Sequence, residues 1–402
     1  MITNAADLAS AVKAAQPGAT ITLGDGKFGD LSLLKRQGLK FVAAEGAHPV
    51  FDSLTLLNST DISFGAGITF ALPYVDGKTI SSTKCVRISG CQQISIDGCS
   101  INGAMVPDGA INAVPQSATT LKAGGNVIGL GTGEGVWIGD GSSEISITKN
   151  EISQAMRGVV ASGVSGLTVT GNDVHDIRAG MIDGNILSDS LIAENHLYNP
   201  VPWNWGAGDH ADFIHPWTTA DQVGPTKNLR IVDNCCEQGA GTAILGIYLD
   251  ASFEKTPAYP GFQGGEIARN IIVGSNRQAL RMENCTGFNV HDETYLAPDP
   301  AAVDLRKLPS ILIRGTFGDT IANVRALTAS WVESPAGWLT SITPANRFGA
   351  STADEPVAAV KAWMAKFRAP PAPPKPAFDA AAAIAAIEAE IAALKAGLGI
   401  AS

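Results

Sequence analysis

Ile145-Ser-Ile-Thr-Lys-Asn150-Glu-Ile152 returns as Leu167-Thr-Val-Thr-Gly-Asn172-Asp-Val174, with the same order of apolar and polar residues. Looser copies follow at Leu191–Leu197, Leu229–Asn234 and Glu266–Ile272, with a degraded copy at Phe288–Asp292. Within each unit the apolar residues alternate with a period of two, which describes a strand with one buried face. The Asn positions are 150, 172, 195, 234 and 270, followed by Asp292, so the steps are 22, 23, 39, 36 and 22 residues. A self-similar unit of this length is the mark of a solenoid, and the two long steps read as coils that carry inserted loops. The Asn falls at a corner between strands, where a left-handed backbone and an amide bond to the same Asn one coil away are expected.

The pattern extends outward in both directions. Ile62–Phe64, Val86–Ile88 and Ile94–Ile96 read as strands of earlier coils, and residues 104–134, rich in Gly, Ala, Thr and Pro, read as a long loop. Ala5–Ala15 reads as a helix with Leu8 and Val12 on one face, ended by Pro17-Gly18 and followed by a first strand at Ile21–Leu23. Such a helix covers the open end of a stacked core. Ile311–Ile313 and Ile321–Val324 read as a last coil, and Ala358–Phe367 as a short helix. Ala369–Pro376 is a stiff proline-rich linker. Ile384, Ile387, Ile391, Leu394 and Leu398 are then spaced 3, 4, 3, 4. That is a coiled-coil seam whose mixed Ile and Leu favour a trimer, the alternative being an Ala-rich tail docked on its own chain.

The fold class expected is therefore all-β: a right-handed parallel β-helix with an N-terminal capping helix and a short C-terminal coiled-coil helix. The expected divisions are a cap helix and first strand at 1–30, the solenoid at 31–325, a C-terminal cap region with a short helix at 326–368, a linker at 369–377 and an oligomerising helix at 378–400.

A formal net charge of -10 argues against nucleic-acid and anionic-membrane partners, which need basic surface. The six cysteines show no zinc spacing and sit in apolar strand-like contexts, so buried thiols are expected. Residues 1–7 carry neither a basic nor an apolar signal region, and no run of about 18 apolar residues occurs. The expectation is a soluble chain without a signal peptide or membrane insertion, as a virion protein released by lysis would be, and as an ordinary cytosolic protein would be.

Aligning the strands after each Asn corner on Ile182, Ile214, Ile247 and Leu280 makes these an inward column. The next residues, Asp183, His215, Tyr248 and Arg281, then face outward, and two further on stand Asn185, Trp217, Asp250 and Glu283. Coils lie about 4.8 Å apart, so these side chains line one outer face. For β-elimination on a uronate polymer, His215 would take the C5 proton, Tyr248 would protonate the leaving oxygen and Arg281 would neutralise the carboxylate. Asp183, Asp250 and Glu283 are candidates to orient these groups or to hold Ca²⁺. A pair of these carboxylates hydrolysing a glycosidic bond is the alternative chemistry. Strict alternation through Asp209–His215 puts His210 with Asp212 on one side and Asp209 with His215 on the other. Asp212 joins the catalytic candidates; His210 joins Trp203, Trp205 and Trp217 as substrate-binding candidates, the tryptophans as stacking surfaces for sugar rings or as loop packing. A second inserted loop at 251–264, with Phe253, Tyr259 and Phe262, is expected to form the opposite wall.

Three stretches carry a family resemblance: Asp7–Gly26, the Asn-corner repeats from 145 to 295, and Gly208–His215 followed by Gly246–Asp250. Over residues 1–325 the sequence resembles the pectate-lyase-like β-helix superfamily, and the last stretch resembles phage tail spike and tail fibre β-helix proteins. It lacks the paired-Asp and Arg-x-Lys pattern of polygalacturonases and the clustered calcium-binding Asp residues of pectate lyases. The resemblance implies contact with a bacterial surface polysaccharide, by a trimeric virion tail protein associated with other tail proteins, with depolymerising lyase or hydrolase activity. The other implied readings are a non-catalytic structural or adhesive tail protein, and a non-viral polysaccharide lyase or epimerase.

Overall fold

The fold was read from a computed structural model that describes residues 1–75, 83–108, 110, 129–203, 209–218, 224–251, 261–276, 278–298, 310–314, 319–326, 328–332, 339–342, 347–348, 352 and 354–368. The chain divides into two units, Met1–Val360 and Lys361–Ser402. In the first, strands form a 23-stranded sheet and a 12-stranded sheet, and every strand pair among the described residues is parallel except Ala104–Met105 with Thr132–Gly131. A strand pairs with one from the coil before and one from the coil after, as Asp173–His175 does with Glu151–Ser153 and His196–Tyr198. This is the parallel β-helix expected from the repeat. Its interior is one continuous apolar column from Leu8 to Ala326.

Helix Ala5–Ala14 closes the N-terminal end. Asn4 caps it by accepting the Asp7 N–H at 3.0 Å, and Leu8 and Val12 are buried in the core beneath. Pairing runs past the expected last coil, because Thr328–Val332, Leu339–Ile342 and Arg347–Phe348 add one more turn. That turn was hidden by its weak apolar alternation. Helix Glu355–Phe367 follows, three residues longer at its start than expected; Arg325 meets Glu355 at 3.2 Å. In the second unit the Trp363 and Phe367 rings lie 5.2 Å apart. The linker and the heptad seam lie outside the described residues. Among those described, no helix is long and apolar enough to cross a membrane.

Asn150, Asn172, Asn195, Asn234 and Asn270 stack as a buried ladder. Each Nδ2 donates to the next Oδ1 at 2.9–3.0 Å. Each Nδ2 also donates to a main-chain carbonyl, such as Ile147 O from Asn172 and Val169 O from Asn195. Each Oδ1 further accepts a main-chain N–H from the preceding rung. Two expectations are corrected. The left-handed residue is the one before the Asn: Lys149, Glu194, Asp233 and Arg269 have φ of 53–57°. The turn places the amide inward only if the preceding residue reverses the chain. The sixth rung is Glu293, not Asp292, since Asn270 Nδ2 donates to Glu293 Oε1 at 2.8 Å.

Glu293 is buried and also accepts the Tyr295 hydroxyl at 2.6 Å. Burial raises its pKa to about 7, against an unfolded value near 4.5. A raised carboxyl pKa means the folded state holds the extra proton. Its stabilisation is therefore complete below about pH 4.5 and is lost as pH rises through 7. The shift corresponds to about 3 kcal/mol. Glu293→Gln is expected to remove that loss, so urea midpoints at pH 5 and pH 8 should converge in the variant and stay apart in the parent; equal pH dependence in both proteins would refute it.

All six cysteines are buried free thiols, as expected.

Candidate functional site

On the wall that carries the site, Ile182 pairs with Ile214, Ile214 with Ile247 and Ile247 with Leu280; all four are buried in the core. Asp183 is in register with His215, and Tyr248 with Arg281. Trp217 bridges to Asp250 in the next row. The two outward rows therefore stand as the alignment placed them.

The sequence reading missed a third row. Before each outward residue, two consecutive residues turn inward: Cys85-Val86, Met181-Ile182, Phe213-Ile214 and Ala279-Leu280 all join the core. The residue ahead of each pair then faces out again. Glu134 pairs with Lys84 and Arg157, and Asp212 with Leu245, so Lys84, Glu134, Arg157, Asp212 and Gln278 line this row. This is why strict alternation failed at Asp209–His215. Asp212 and His215 share one side, and His210 joins them. The adjacent apolar pairs were the available signal.

The fully buried Asp212 carboxylate is the hub. Its Oδ2 lies 2.9 Å from His210 Nδ1 and 3.4 Å from His215 Nδ1. His215 Nε2 lies 3.6 Å from Asp250 Oδ2. The imidazole also stacks on Tyr248, with ring centroids 5.1 Å apart. Burial opposes the charged form of His215, but Asp212, Asp250 and Asp183 outweigh it and raise its pKa. The hydrogen bond to Asp212 likewise raises that of His210. A raised pKa favours the imidazolium and so weakens His215 as a proton-abstracting base.

Asp183 sits one coil earlier, almost fully buried, with Arg157 at 3.5 Å. Gly180 makes this possible: a Cβ there would fall 1.8 Å from the Asp183 carboxylate. Desolvation raises the Asp183 pKa against the pull of Arg157 and His215. Among the described residues its Oδ1 has no hydrogen-bond partner, and neither has Asp212 Oδ1. Arg281 departs from its expected part. It grips Glu283 through Nε at 2.9 Å and through a terminal nitrogen, bonds Gln278 at 3.2 Å and lies over the Tyr248 ring. Its charge is already matched, so it is poorly suited to neutralise a uronate. Burial, followed by the charges of Asp250 and Glu283, raises the Tyr248 pKa and keeps the phenol protonated.

The loop aromatics split. Trp203 is buried with Val106 in a side cluster, beside Tyr74 and Leu130, so it packs the loop and is corrected as a stacking surface. Trp217 is half-buried, 5.8 Å from the His215 ring. Asp209 turns inward to a buried pair with Arg178 at 2.8 Å and accepts the Trp203 N–H. Phe262 is buried in the core and forms no wall. Trp205, Phe253 and Tyr259 lie outside the described residues.

Calcium fits the donor set poorly. Asp183, Asp250 and Glu283 each face a cation or imidazole rather than one another. Among the described residues, the one cluster with metal-ligand spacing is His210, Asp212 and His215, where two of three donors are nitrogen. Ca²⁺ takes oxygen ligands.

The fold and this face define the chain as a right-handed parallel β-helix with a polar, histidine-centred strip on one outer wall. Its fold is similar to that of PfbA, a surface adhesin of Streptococcus pneumoniae, at a TM-score of 0.51 and 10% identity over 87% of this chain and 93% of that one. The Dettilon tailspike protein matches at 0.42 and 14% identity over 85% and 66% of the two chains. Pectate lyase Pel9A matches at 0.41 and 10% over 86% and 76%. Likeness at these identities concerns the fold. No protein-family model matches the sequence, and no curated protein sequence does.

Proposed function

We propose that this chain binds a bacterial surface polysaccharide along the Asp183–Glu283 face and hydrolyses a glycosidic bond there. The observation that carries this reading is Asp183, an almost fully buried carboxyl whose desolvation favours the protonated form, one coil from the His215–Asp212 pair and two coils from Asp250. Two carboxyls whose environments hold one protonated and the other paired with a cation divide the work of acid and base. Asp183 gives its proton to the leaving oxygen as the C–O bond breaks. Asp250 takes a proton from the water that adds to the anomeric carbon. His215, between them, holds Asp250 in place while Asp212 orients its ring. Two coils and a two-residue offset along the strand separate the backbone positions of Asp183 and Asp250 by about 12 Å, which leaves room for a water between their carboxyls, as inverting hydrolysis needs. Trp217 and His210 give the sugar a partly exposed contact surface.

The chain acts in this proposal as a virion tail spike or fibre component, a homotrimer joined through residues 378–400. Incubation with purified capsular and lipopolysaccharide glycans is expected to release reducing ends without the ultraviolet absorbance of an unsaturated uronate, from a protein of trimeric mass that becomes monomeric without residues 370–402. An absorbing product would replace hydrolysis by elimination. A monomeric parent would remove the trimer.

A further inference from the structure

We infer that a cavity at the N-terminal end of the same outer wall is a second glycan subsite, selective for an uncharged sugar; this rests on the glycan-cleaving reading above. The cavity has a volume of about 320 Å³ and is lined by Asp30, Asp52, Ser53, Tyr74, Lys84 and Thr132, with apolar Leu72, Pro73 and Val75 completing it. That volume lies at the small end of ligand sites. Its place in the fold ties it to the site. Lys84 is the register partner of Glu134 and Glu134 that of Arg157, so the cavity opens at the head of the outward row that runs on to Asp212. Four coil spacings separate Lys84 from Asp212, about 19 Å. One extended chain of several sugar units can span both.

Charge decides which sugar. Lys84 Nζ is 2.6 Å from Glu134, so the cation of the cavity is matched. Further along, Arg281 is matched by Glu283. Asp30 accepts the Ser53 hydroxyl and stays an acceptor, and Asp52 adds a second carboxylate. A uronate entering here would bring a third negative charge to a cavity whose lysine is already occupied. A neutral sugar brings hydroxyls, which donate to Asp30 and Asp52, and a C–H face that packs on Tyr74, Leu72 and Pro73. The polysaccharide is therefore a neutral one, at least through the unit bound in this cavity.

The test is calorimetric titration with two oligosaccharide ladders, neutral hexose oligomers and oligouronates, each from disaccharide to decasaccharide. Long neutral oligomers are expected to bind at least about tenfold tighter than short ones, a difference of about 1.4 kcal/mol. Asp52→Asn should erase that advantage and leave short oligomers unaffected; Tyr74→Phe, which keeps the packing ring, should retain it; and Asp52→Lys should shift preference toward long oligouronates. Both Asp52 variants leave in place the Tyr74 ring that packs near Trp203, so loss of fold is not confounded with loss of binding. Unchanged chain-length dependence in both Asp52 variants, or tighter binding of oligouronates by the parent, would overturn the subsite while leaving the Asp183–Asp250 reading standing. No binding of any oligomer by the parent would remove both.

Discussion

Asn195→Ala is expected to lower the unfolding free energy by about 4 kcal/mol, among the largest single-residue losses this chain can show. Asn195 is fully buried and holds both directions of the ladder. Its Oδ1 accepts the Asn172 N–H at 3.0 Å and Asn172 Nδ2 at 2.9 Å. Its Nδ2 donates to Val169 O and to Asn234 Oδ1, both at 2.9 Å. Alanine takes this partner from the Asn172 main-chain N–H and from Val169 O, and one of two bonds from Asn172 Nδ2 and Asn234 Oδ1, which keep Ile147 O and the Asn195 main-chain N–H respectively. Each buried orphan costs about 1–3 kcal/mol. Asn195→Asp separates geometry from chemistry. It keeps the acceptor for Asn172 but turns a carboxylate oxygen toward Val169 O and Asn234 Oδ1. Its loss should therefore grow as pH rises above the carboxyl range. Urea denaturation followed by circular dichroism measures both; a loss for Asn195→Ala below about 1 kcal/mol would show that water or neighbouring coils replace the amide.

Asp183→Asn is expected to cut turnover by about a thousandfold while leaving glycan affinity within a few fold. The amide fills the same space beside Gly180 and Arg157 but has no proton to give. In the parent, the active form of Asp183 is the protonated one. Activity should fall on the alkaline side, at a pH above the ordinary carboxylate range, because burial raises this pKa. Loss of the imidazolium of His215, whose pKa is also raised, adds to the same limb. Rates of reducing-end release from pH 4 to pH 10 give the profile. Turnover in Asp183→Asn within tenfold of the parent would move the acid to another residue.

The stacking was legible because Asn150, Asn172 and Asn195 repeat at one coil length. The register of Asp183 with His215, and of Tyr248 with Arg281, followed from aligning four apolar residues. Direction within the corner was not legible. Period two holds along a strand but not where two neighbours both turn inward, as Phe213-Ile214 do, so Asp212 was placed apart from His215. Charge state was equally hidden. Nothing in the spacing tells that Arg281 folds back on Glu283, or that Gly180 leaves room for Asp183 to withdraw from water. Partners four coils away, such as Lys84, needed the third row before they could be joined to the site.

That row has a bearing on how such a surface changes through descent. Where a position of these rows is exposed, its neighbours in sequence are locked in the interior, so a substitution there alters what the wall recognises without disturbing the stack. Lys84 and Gln278 are replaceable letters on a rigid line. New glycan preferences can arise by exchanging a few of them, one turn at a time, while the amide ladder at the corner keeps every turn in step.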